Sequence, residues 1–349
     1  MRELVYPWHV EDKLTRMAQL TRMAQSLWFD APGSVTVRPE VLPAVGDGQA
    51  LVRTLFSGIS GGTEMLAYRG ELDPALPIDE TIGALGGTFR YPFRYGYSCV
   101  GVVEESRCEL EEGSIVFAFQ PHQDCFVTSD AIEIGTVAPR PATLFPLVET
   151  ALQITLDAGP GLGEPVVVLG LGAVGALSAL LLRRAGADVI AVEPRAWRRL
   201  VVDDLGVTTV APEEVRDVLR ADGRPGHVPL VVDAAGSPEA LRSALGLLAH
   251  EGTMLVASWY GTKEVALPLG AEFHRRRLTI RSTQVSTIPT RLASRWDTDT
   301  RRRAVVQLLA ELPLDRLATH TFSFDAPNEA YAAIDAGLEG LTHAAFGYR

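Results

Sequence analysis

The ten residues Val166–Gly175, VVVLGLGAVG, constrain this chain more than any others. An apolar, β-branched run enters Gly170, and a run of helical character, Ala173–Ala185, carries the chain onward. Glycines in the order G-x-G-x-x-G at such a junction have separate physical tasks. Gly170 permits a tight turn, Gly172 lets the backbone come close to a pyrophosphate, and Gly175 lets the helix pack against the strand. The free amides at the helix start, those of Ala173 and Val174 among them, combine with the helix dipole to favour a bound anion. A glycine turn alone is also an ordinary way to reverse a chain. Here it lies between a strand and a helix, and an acid follows at the right distance. That acid is Glu193, which closes a second apolar strand 18 residues after Gly175. A carboxylate there accepts hydrogen bonds from ribose hydroxyls and repels a 2′-phosphate, so NAD is the expected cofactor. Arg195, Arg198 and Arg199 follow, and arginines hold phosphates well, which keeps NADP open.

Strands and helices alternate around this turn. Strands are expected at Pro165–Leu169, Asp188–Val192, Leu230–Ala234, Thr253–Ser258 and Leu278–Ser282. Helices are expected at Leu147–Asp157, Ala173–Ala185, Arg195–Leu205 and Pro238–Ala249. That grammar implies an α/β fold with a Rossmann-type, doubly wound parallel sheet. Earlier in the chain, short apolar runs are broken by Gly and Pro: Ser26–Phe29, Val35–Val37, Ala50–Ser57, Cys99–Val103, Ser114–Phe119 and Cys125–Thr128. These read as a compact, mostly β domain. Pro139–Pro146 marks a boundary. A tail with helices at Thr300–Glu311 and Ala326–Gly337 and strands at Ala318–Phe324 and Ala344–Tyr348 is too long for an appendage. It is expected to return to the first domain. The expected division is an extension over 1–23, a first domain over 24–148 and 289–349, and a dinucleotide-binding domain over 149–288. Within the extension, LTRMAQ occurs twice, at Leu14–Gln19 and Leu20–Gln25. With acidic residues and no long apolar centre, it reads as an added or misassigned start rather than a secretory signal.

The bulk properties remove several classes of function. Asp and Glu number 43 against 32 Lys and Arg, a net charge of −11, and a nucleic-acid surface needs a basic field. No apolar stretch is long enough for a membrane span. Cys99, Cys108 and Cys125 form no CxxC pair, which fits a reducing cytoplasm and gives no zinc-finger or disulfide framework.

Five segments together carry a family resemblance: SGISGGTE (Ser57–Glu64), YGYSCVGVV (Tyr95–Val103), VVVLGLGAVG (Val166–Gly175), VVDAAGSPEAL (Val231–Leu241) and FHRRRLTIRSTQ (Phe273–Gln284). From about Gln25 to the C-terminus the chain resembles the medium-chain dehydrogenase/reductase superfamily, and within it the branch of bacteriochlorophyllide-type alcohol dehydrogenases. The resemblance implies a GroES-like catalytic domain beside the Rossmann sheet. It implies further cofactor contacts at Arg198, at Ala234, Ala235 and Gly236 after Asp233, and at Ser258, Trp259 and Tyr260. It also implies a homodimer joined along Leu278–Ser282. Zinc-dependent members carry a cysteine where this chain has Ser60, and a His-Glu pair where it has Tyr97–Ser98. Of the ligand positions only Glu149 keeps a ligand-type side chain, and one carboxylate cannot build a site that needs three protein ligands. No catalytic zinc is therefore expected.

Hydride transfer with a small-molecule substrate remains the expected chemistry, and something other than a metal must stabilise the oxyanion and move its proton. Tyr97 stands at a lost ligand position, so its hydroxyl is expected in the cleft. His122, in QPHQDC with Asp124 nearby, is a candidate acid/base. Glu64 and Thr63, in the GTE motif, are candidates for relay, with Ser60 beside them. Each also has a plain structural reading: packed aromatic, solvated loop histidine, ion-pair partner. Phe89, Tyr91, Phe93, Tyr95 and Tyr97 alternate, and a strand would send all five to one face. That face is either a pocket wall for a large, flat or apolar substrate or an aromatic core stripe. The leading expectation is a zinc-independent, NAD(P)(H)-dependent alcohol dehydrogenase or carbonyl reductase. A quinone or enoyl reductase and a non-catalytic dinucleotide-binding sensor are the alternatives.

Overall fold

The computed structural model describes residues 22–221 and 225–349. The first LTRMAQ copy and the start of the second lie outside the described residues. The chain enters its first sheet at Met23.

The first domain is built from β1 (Met23–Ala31), β2 (Ser34–Val41), β3 (Ala50–Ile59), α1 (Thr63–Arg69), β4 (Phe93–Arg94), β5 (Cys99–Ser106), β6 (Ile115–Ala118), β7 (Cys125–Thr128) and β8 (Ala131–Glu133). β1 lies between β2 and β4 in a small antiparallel sheet. β3 is the hub of the larger sheet, pairing with β5 on one side and with β7 over its first half. Its Gly58 admits a close neighbour: a Cβ there would stand 2.7 Å from the Thr143 carbonyl oxygen. α1 was not expected from the sequence. Its seven residues begin inside the GTE motif and end at Gly70, whose φ of 73° suits the left-handed cap.

After α2 (Phe145–Ala158), the dinucleotide-binding half follows in strict alternation: β9 (Pro165–Leu169), α3 (Ala173–Arg184), β10 (Asp188–Val192), α4 (Ala196–Asp203), β11 (Thr208–Val210), α5 (Val215–Arg220), β12 (Val228–Asp233), α6 (Pro238–Ala244), β13 (Leu248–Val256) and β14 (Thr279–Ser282). Its six strands run in the order β11-β10-β9-β12-β13-β14, every pair parallel. Val166, Val167 and Val168 of β9 are all fully buried, because a central parallel strand has helices on both faces. The strand order reverses between β10 and β12, on either side of β9. In open α/β sheets such a switch point opens a crevice beyond the carboxyl ends of the strands, and the glycine turn sits there. The α/β class expected from the sequence is thus observed. The helix expected over Pro238–Ala249 overran: α6 stops at Ala244, a 3-10 turn follows, and Leu248–Ala249 already belong to β13. The apolar run LGLLA serves both elements, which periodicity alone does not separate.

The tail carries α7 (Thr298–Glu311), β15 (Ala318–Ser323), α8 (Pro327–Asp335) and β16 (His343–Gly347). β16 pairs antiparallel with β3 and parallel with β15, so the C-terminus closes the sheet of the first domain. α7 packs on α2, where the buried Arg301 donates from Nε to Glu149 at 3.0 Å and from Nη1 to the Gln153 side chain at 2.6 Å.

The candidate dinucleotide and hydroxyl cleft

Between the two halves lies a cleft of about 900 Å³. One wall is the turn Gly170–Gly175 with the ends of β10, β12 and β13; the other carries Ser60, Thr63 and Tyr97, and the tail closes the side at Ile334–Ala344. Each glycine of the turn has its own reason. Gly170 has φ 86°, and a Cβ there would press to 2.7 Å on the Ala235 backbone. A Cβ on Gly175 would come to 1.9 Å from the Gly170 carbonyl oxygen. At Gly172 a Cβ would meet nothing within 4 Å. That bare surface belongs to the N-cap of α3, which no side chain caps. Amides of an uncapped first turn, facing open space over a glycine, fit the pyrophosphate of a dinucleotide.

Glu193 is 3% exposed and closes β10 beside the turn. Its Oε2 accepts from the Leu171 amide at 2.9 Å and its Oε1 from the Arg195 amide at 3.0 Å. It lines the cleft with both oxygens already braced, and a carboxylate has lone pairs left for ribose hydroxyls. Arg198 stands 3.8 Å from it and stacks on Trp197. Burial lowers the Arg198 pKa, against the pull of Glu193. Arg199 is used otherwise, donating to the Glu193 and Pro194 carbonyls.

The loop after β12 is braced from below. Asp233 accepts from the Ala235 amide at 3.1 Å and from the Tyr260 hydroxyl at 3.0 Å, and the Ser258 hydroxyl accepts from the Gly236 amide at 2.8 Å. Ala234, Ala235, Gly236 and Ser258 line the cleft through this bracing. Tyr260 is turned away onto Asp233, whereas Trp259 stands 43% exposed in the cleft, edge-on to Phe89.

Opposite the turn, Tyr97 lines the cleft together with Ser60 and Thr63. Burial, followed by the charge of Glu64, pushes its pKa up to about 12. The hydroxyl therefore keeps its proton at neutral pH. The other members of the alternating aromatic set do not wall the cleft. Only Phe93–Arg94 is strand, and Phe89, Phe93 and Tyr95 pack into one core cluster with Phe29 and Tyr331. The Tyr91 hydroxyl is bonded to the Ala67 carbonyl. The core reading of the stripe is the observed one for all but Tyr97.

His122 and Glu64 require a correction. Neither faces the cleft; both side chains are fully buried. His122 is not a solvated loop residue, and Asp124 is not its partner, since Asp124 accepts from the Gln25 amide at 2.8 Å. His122 Nε2 lies 2.9 Å from Glu64 Oε2 and its Nδ1 lies 2.7 Å from the Ser57 hydroxyl. The close approach of β3, α1 and the 120–124 loop buries what the sequence presents as loop and motif. Glu149 is corrected too as a possible ligand: it is spent on Arg301 inside the α2–α7 contact.

Sequence reasoning passed over His343. It opens β16, lines the cleft 4% exposed, and bonds to the Thr143 hydroxyl at 3.2 Å. Burial, with Arg140 nearby, lowers its pKa to about 3, so it is neutral at physiological pH. No local motif marks it; it reaches the cleft because the tail pairs with β3.

Among the described residues, no group of three or more His, Cys, Asp or Glu side chains is placed to hold a metal ion. The side chains at the lost ligand positions are hydroxyls, with Ser98 committed to the Thr143 carbonyl. The one thiol of that segment, Cys99, is fully buried and donates to carbonyl oxygens. Burial pushes its pKa upward, against thiolate ligation. This donor set does not fit a tetrahedral zinc.

Comparison with known proteins agrees with this architecture. A zinc-binding dehydrogenase family model matches residues 173–302. The chain is 29% identical to 2-desacetyl-2-hydroxyethyl bacteriochlorophyllide A dehydrogenase of Cereibacter sphaeroides, over 83% of this chain and 87% of that protein. It is 26% identical to L-galactonate-5-dehydrogenase of Escherichia coli, over 86% and 92%. A putative zinc-binding dehydrogenase of Sinorhizobium meliloti, solved bound to NADP, superposes with a TM-score of 0.73 at 21% identity, covering 94% of this chain and all of the other. An Escherichia coli dehydrogenase complexed with NADH gives 0.74 at 16%, covering 93% and 99%. These matches support membership of the medium-chain dehydrogenase/reductase superfamily, and the chain is an oxidoreductase.

Proposed function

We propose that this oxidoreductase interconverts a secondary alcohol and a ketone, on a fairly large or apolar small molecule, using NAD(H) and no zinc. One observation carries the reading. The bare face of Gly172 and the hydroxyl cluster of Tyr97, Ser60 and Thr63 open into the same 900 Å³ cleft, one suited to a dinucleotide and the other to a substrate oxygen. A bound nicotinamide would supply the hydride acceptor or donor. The chain's own residues do the rest. The turn Gly170–Gly175 and the amides of Ala173 and Val174 hold the pyrophosphate, and Glu193 with Arg198 takes the adenosine ribose. Ala234, Ala235, Gly236, Ser258 and Trp259 lie along the nicotinamide half. Tyr97 donates a hydrogen bond to the substrate oxygen and stabilises charge as it develops there, with Thr63 and Ser60 orienting the hydroxyl.

The test is a panel of bulky secondary alcohols and ketones, with conjugated enones beside them, assayed with NADH and NADPH. Carbonyl reduction with NADH, and NADPH at least about tenfold weaker because of Glu193, is the expected result. Reduction of enones alone would replace this reading with the C=C reductase, and tight NADH binding without turnover of any substrate would replace it with the sensor.

Two further expectations belong with this reading. Three free cysteines fit work in a reducing cytoplasm, and no helix among the described residues is long and apolar enough to cross a membrane. β14 is the open edge of the parallel sheet, with Thr279, Arg281 and Ser282 exposed. A second copy pairing there would cover it, and a dimer mass in sedimentation equilibrium is expected; a monomer at micromolar concentration would refute the pairing.

A further inference from the structure

Four aromatic rings run in an arc along the cleft, and only the two ends of the arc line it. Trp259 stands 6.0 Å from Phe89 between ring centroids, Phe89 stands 5.3 Å from Tyr95, and Tyr95 stands 6.0 Å from Tyr97. Phe89 and Tyr95 are buried in the core of the first domain, whereas Trp259 and Tyr97 line the cleft. The core thus reaches the cleft at Tyr97 from the segment before β5, and at Trp259 from the loop after β13 of the other half. Tryptophan is on average a well-buried residue, yet Trp259 keeps 43% of its surface exposed.

The loop that carries this indole is pinned on both sides. Before it, the Ser258 hydroxyl accepts from the Gly236 amide at 2.8 Å, and after it the Tyr260 hydroxyl donates to Asp233 at 3.0 Å. The Thr262 amide then donates to the Glu71 carbonyl at 2.9 Å, and Lys263 pairs with the Glu71 carboxylate at 3.2 Å. Gly261, with φ 59°, passes so close that a Cβ would stand 2.2 Å from the Glu71 carbonyl oxygen. An apolar face held on a fixed loop costs a ligand little further ordering.

Positive charge lies elsewhere in the cleft. Its lining cations are Arg69, Arg195 and Arg198. Arg195 and Arg198 follow β10, which β9 and β12 separate from β13; three strand spacings amount to about 14 Å. Arg69 is committed to Asp335 at 2.6 Å, and Lys263 to Glu71. An anionic group lying between Trp259 and Tyr97 would lose water with no unpaired cation among the described residues beside it. A π face, by contrast, offers offset stacking to another flat ring. We propose that Trp259 selects the substrate: its indole is the face on which an uncharged, planar, apolar ring system lies, with the reacting oxygen at the edge of that ring system turned to Tyr97. The backbone at Ser258–Trp259 keeps its place along the nicotinamide half. The proposal rests on the alcohol–ketone reading of this cleft and names the substrate class.

Three methyl ketones of similar size serve as probes: acetylnaphthalene is planar and neutral, acetyldecalin is puckered and neutral, and acetylnaphthoate is planar and anionic. Each is assayed with NADH. Wild type is expected to prefer acetylnaphthalene to both of the others in kcat/KM. In Trp259→Ala the preference over acetyldecalin is expected to fall about 3- to 10-fold, the size of a lost ring–ring contact. The loss should appear in KM, because stacking serves ground and transition state alike. Trp259→Phe keeps a ring and should restore most of the preference. An unchanged preference in folded Trp259→Ala overturns the proposal, as does a wild type that favours the anion. An equal loss of NADH affinity in Trp259→Ala would give the indole to the nicotinamide and also overturn it. Should Trp259→Ala not fold, Trp259→Leu keeps bulk without the ring and is read by the same ratio. If wild type turns over no ketone, binding of acetylnaphthalene to the NADH-loaded protein is measured by calorimetry. Binding that weakens by the same factor in Trp259→Ala upholds the face while the dehydrogenase reading fails; absent or unchanged binding overturns the proposal.

Discussion

Gly172→Asp is expected to leave the protein folded and to abolish dinucleotide binding. The two effects separate because of what surrounds this glycine. Its φ of −66° and ψ of 179° suit any residue, and the new Cβ meets nothing within 4 Å. The fold thus has no reason to change, and the melting temperature should stay within about 2 °C of wild type, the shift of a sub-kcal/mol change. The side chain instead occupies the space over the α3 N-terminus and brings a negative charge to the proposed pyrophosphate site. Two like charges about 4 Å apart repel by about 4 kcal/mol at the effective dielectric of a protein surface. NADH affinity, read by fluorescence titration, is expected to fall at least about 100-fold, about 2.7 kcal/mol. Gly175→Ala is the contrasting variant, because its Cβ would overlap the Gly170 carbonyl at 1.9 Å and the fold itself should suffer. Wild-type NADH affinity in Gly172→Asp would mean that the pyrophosphate is not bound at this turn.

Tyr97→Phe is expected to lower kcat by about 100- to 1000-fold, the range for loss of one donor to a developing oxyanion. NADH affinity should not change, because Tyr97 stands across the cleft from the turn. KM should change little, since the ring remains to pack against Tyr95, 6.0 Å away between centroids. With its pKa near 12 the hydroxyl cannot serve as a base near neutrality; it donates. The rate loss should therefore be nearly constant between about pH 6 and 9. A variant retaining more than about a third of wild-type kcat would remove Tyr97 from the chemistry and turn attention to Thr63 and Ser60.

Much of the fold was legible because it rests on local rules. β9, α3 and β10 follow from an apolar run, three glycines and an acid, each acting on its neighbours in sequence. The return of the tail was legible from its length. The cleft was half legible. The wall with the glycine turn is set by residues close in sequence, whose spacing is the signal, so Gly170, Gly172, Gly175 and Glu193 could be placed together from the chain alone. The opposite wall comes from β3, α1, the segment before β5 and β16, residues far apart in sequence. Tyr97 and Thr63 were found through motif positions, which report where a side chain starts and not what it meets. His343 has no such motif and was missed.

His122 shows the difference most clearly. In sequence it is a histidine between Pro121 and Gln123 with an aspartate two residues on, and everything local points to a loop in water. In the structure it is encased by Gly96, Phe346 and Ser57 and pairs with Glu64, 58 residues away. Local geometry sets periodicity, turns and the start of a helix, so the chain alone determined the parallel sheet and the glycine turn. Burial depends on which distant segments close over a side chain. The pairing of β16 with β3 and the seating of α1 beneath the cleft therefore decided which polar residues line the cleft and which were drawn inside.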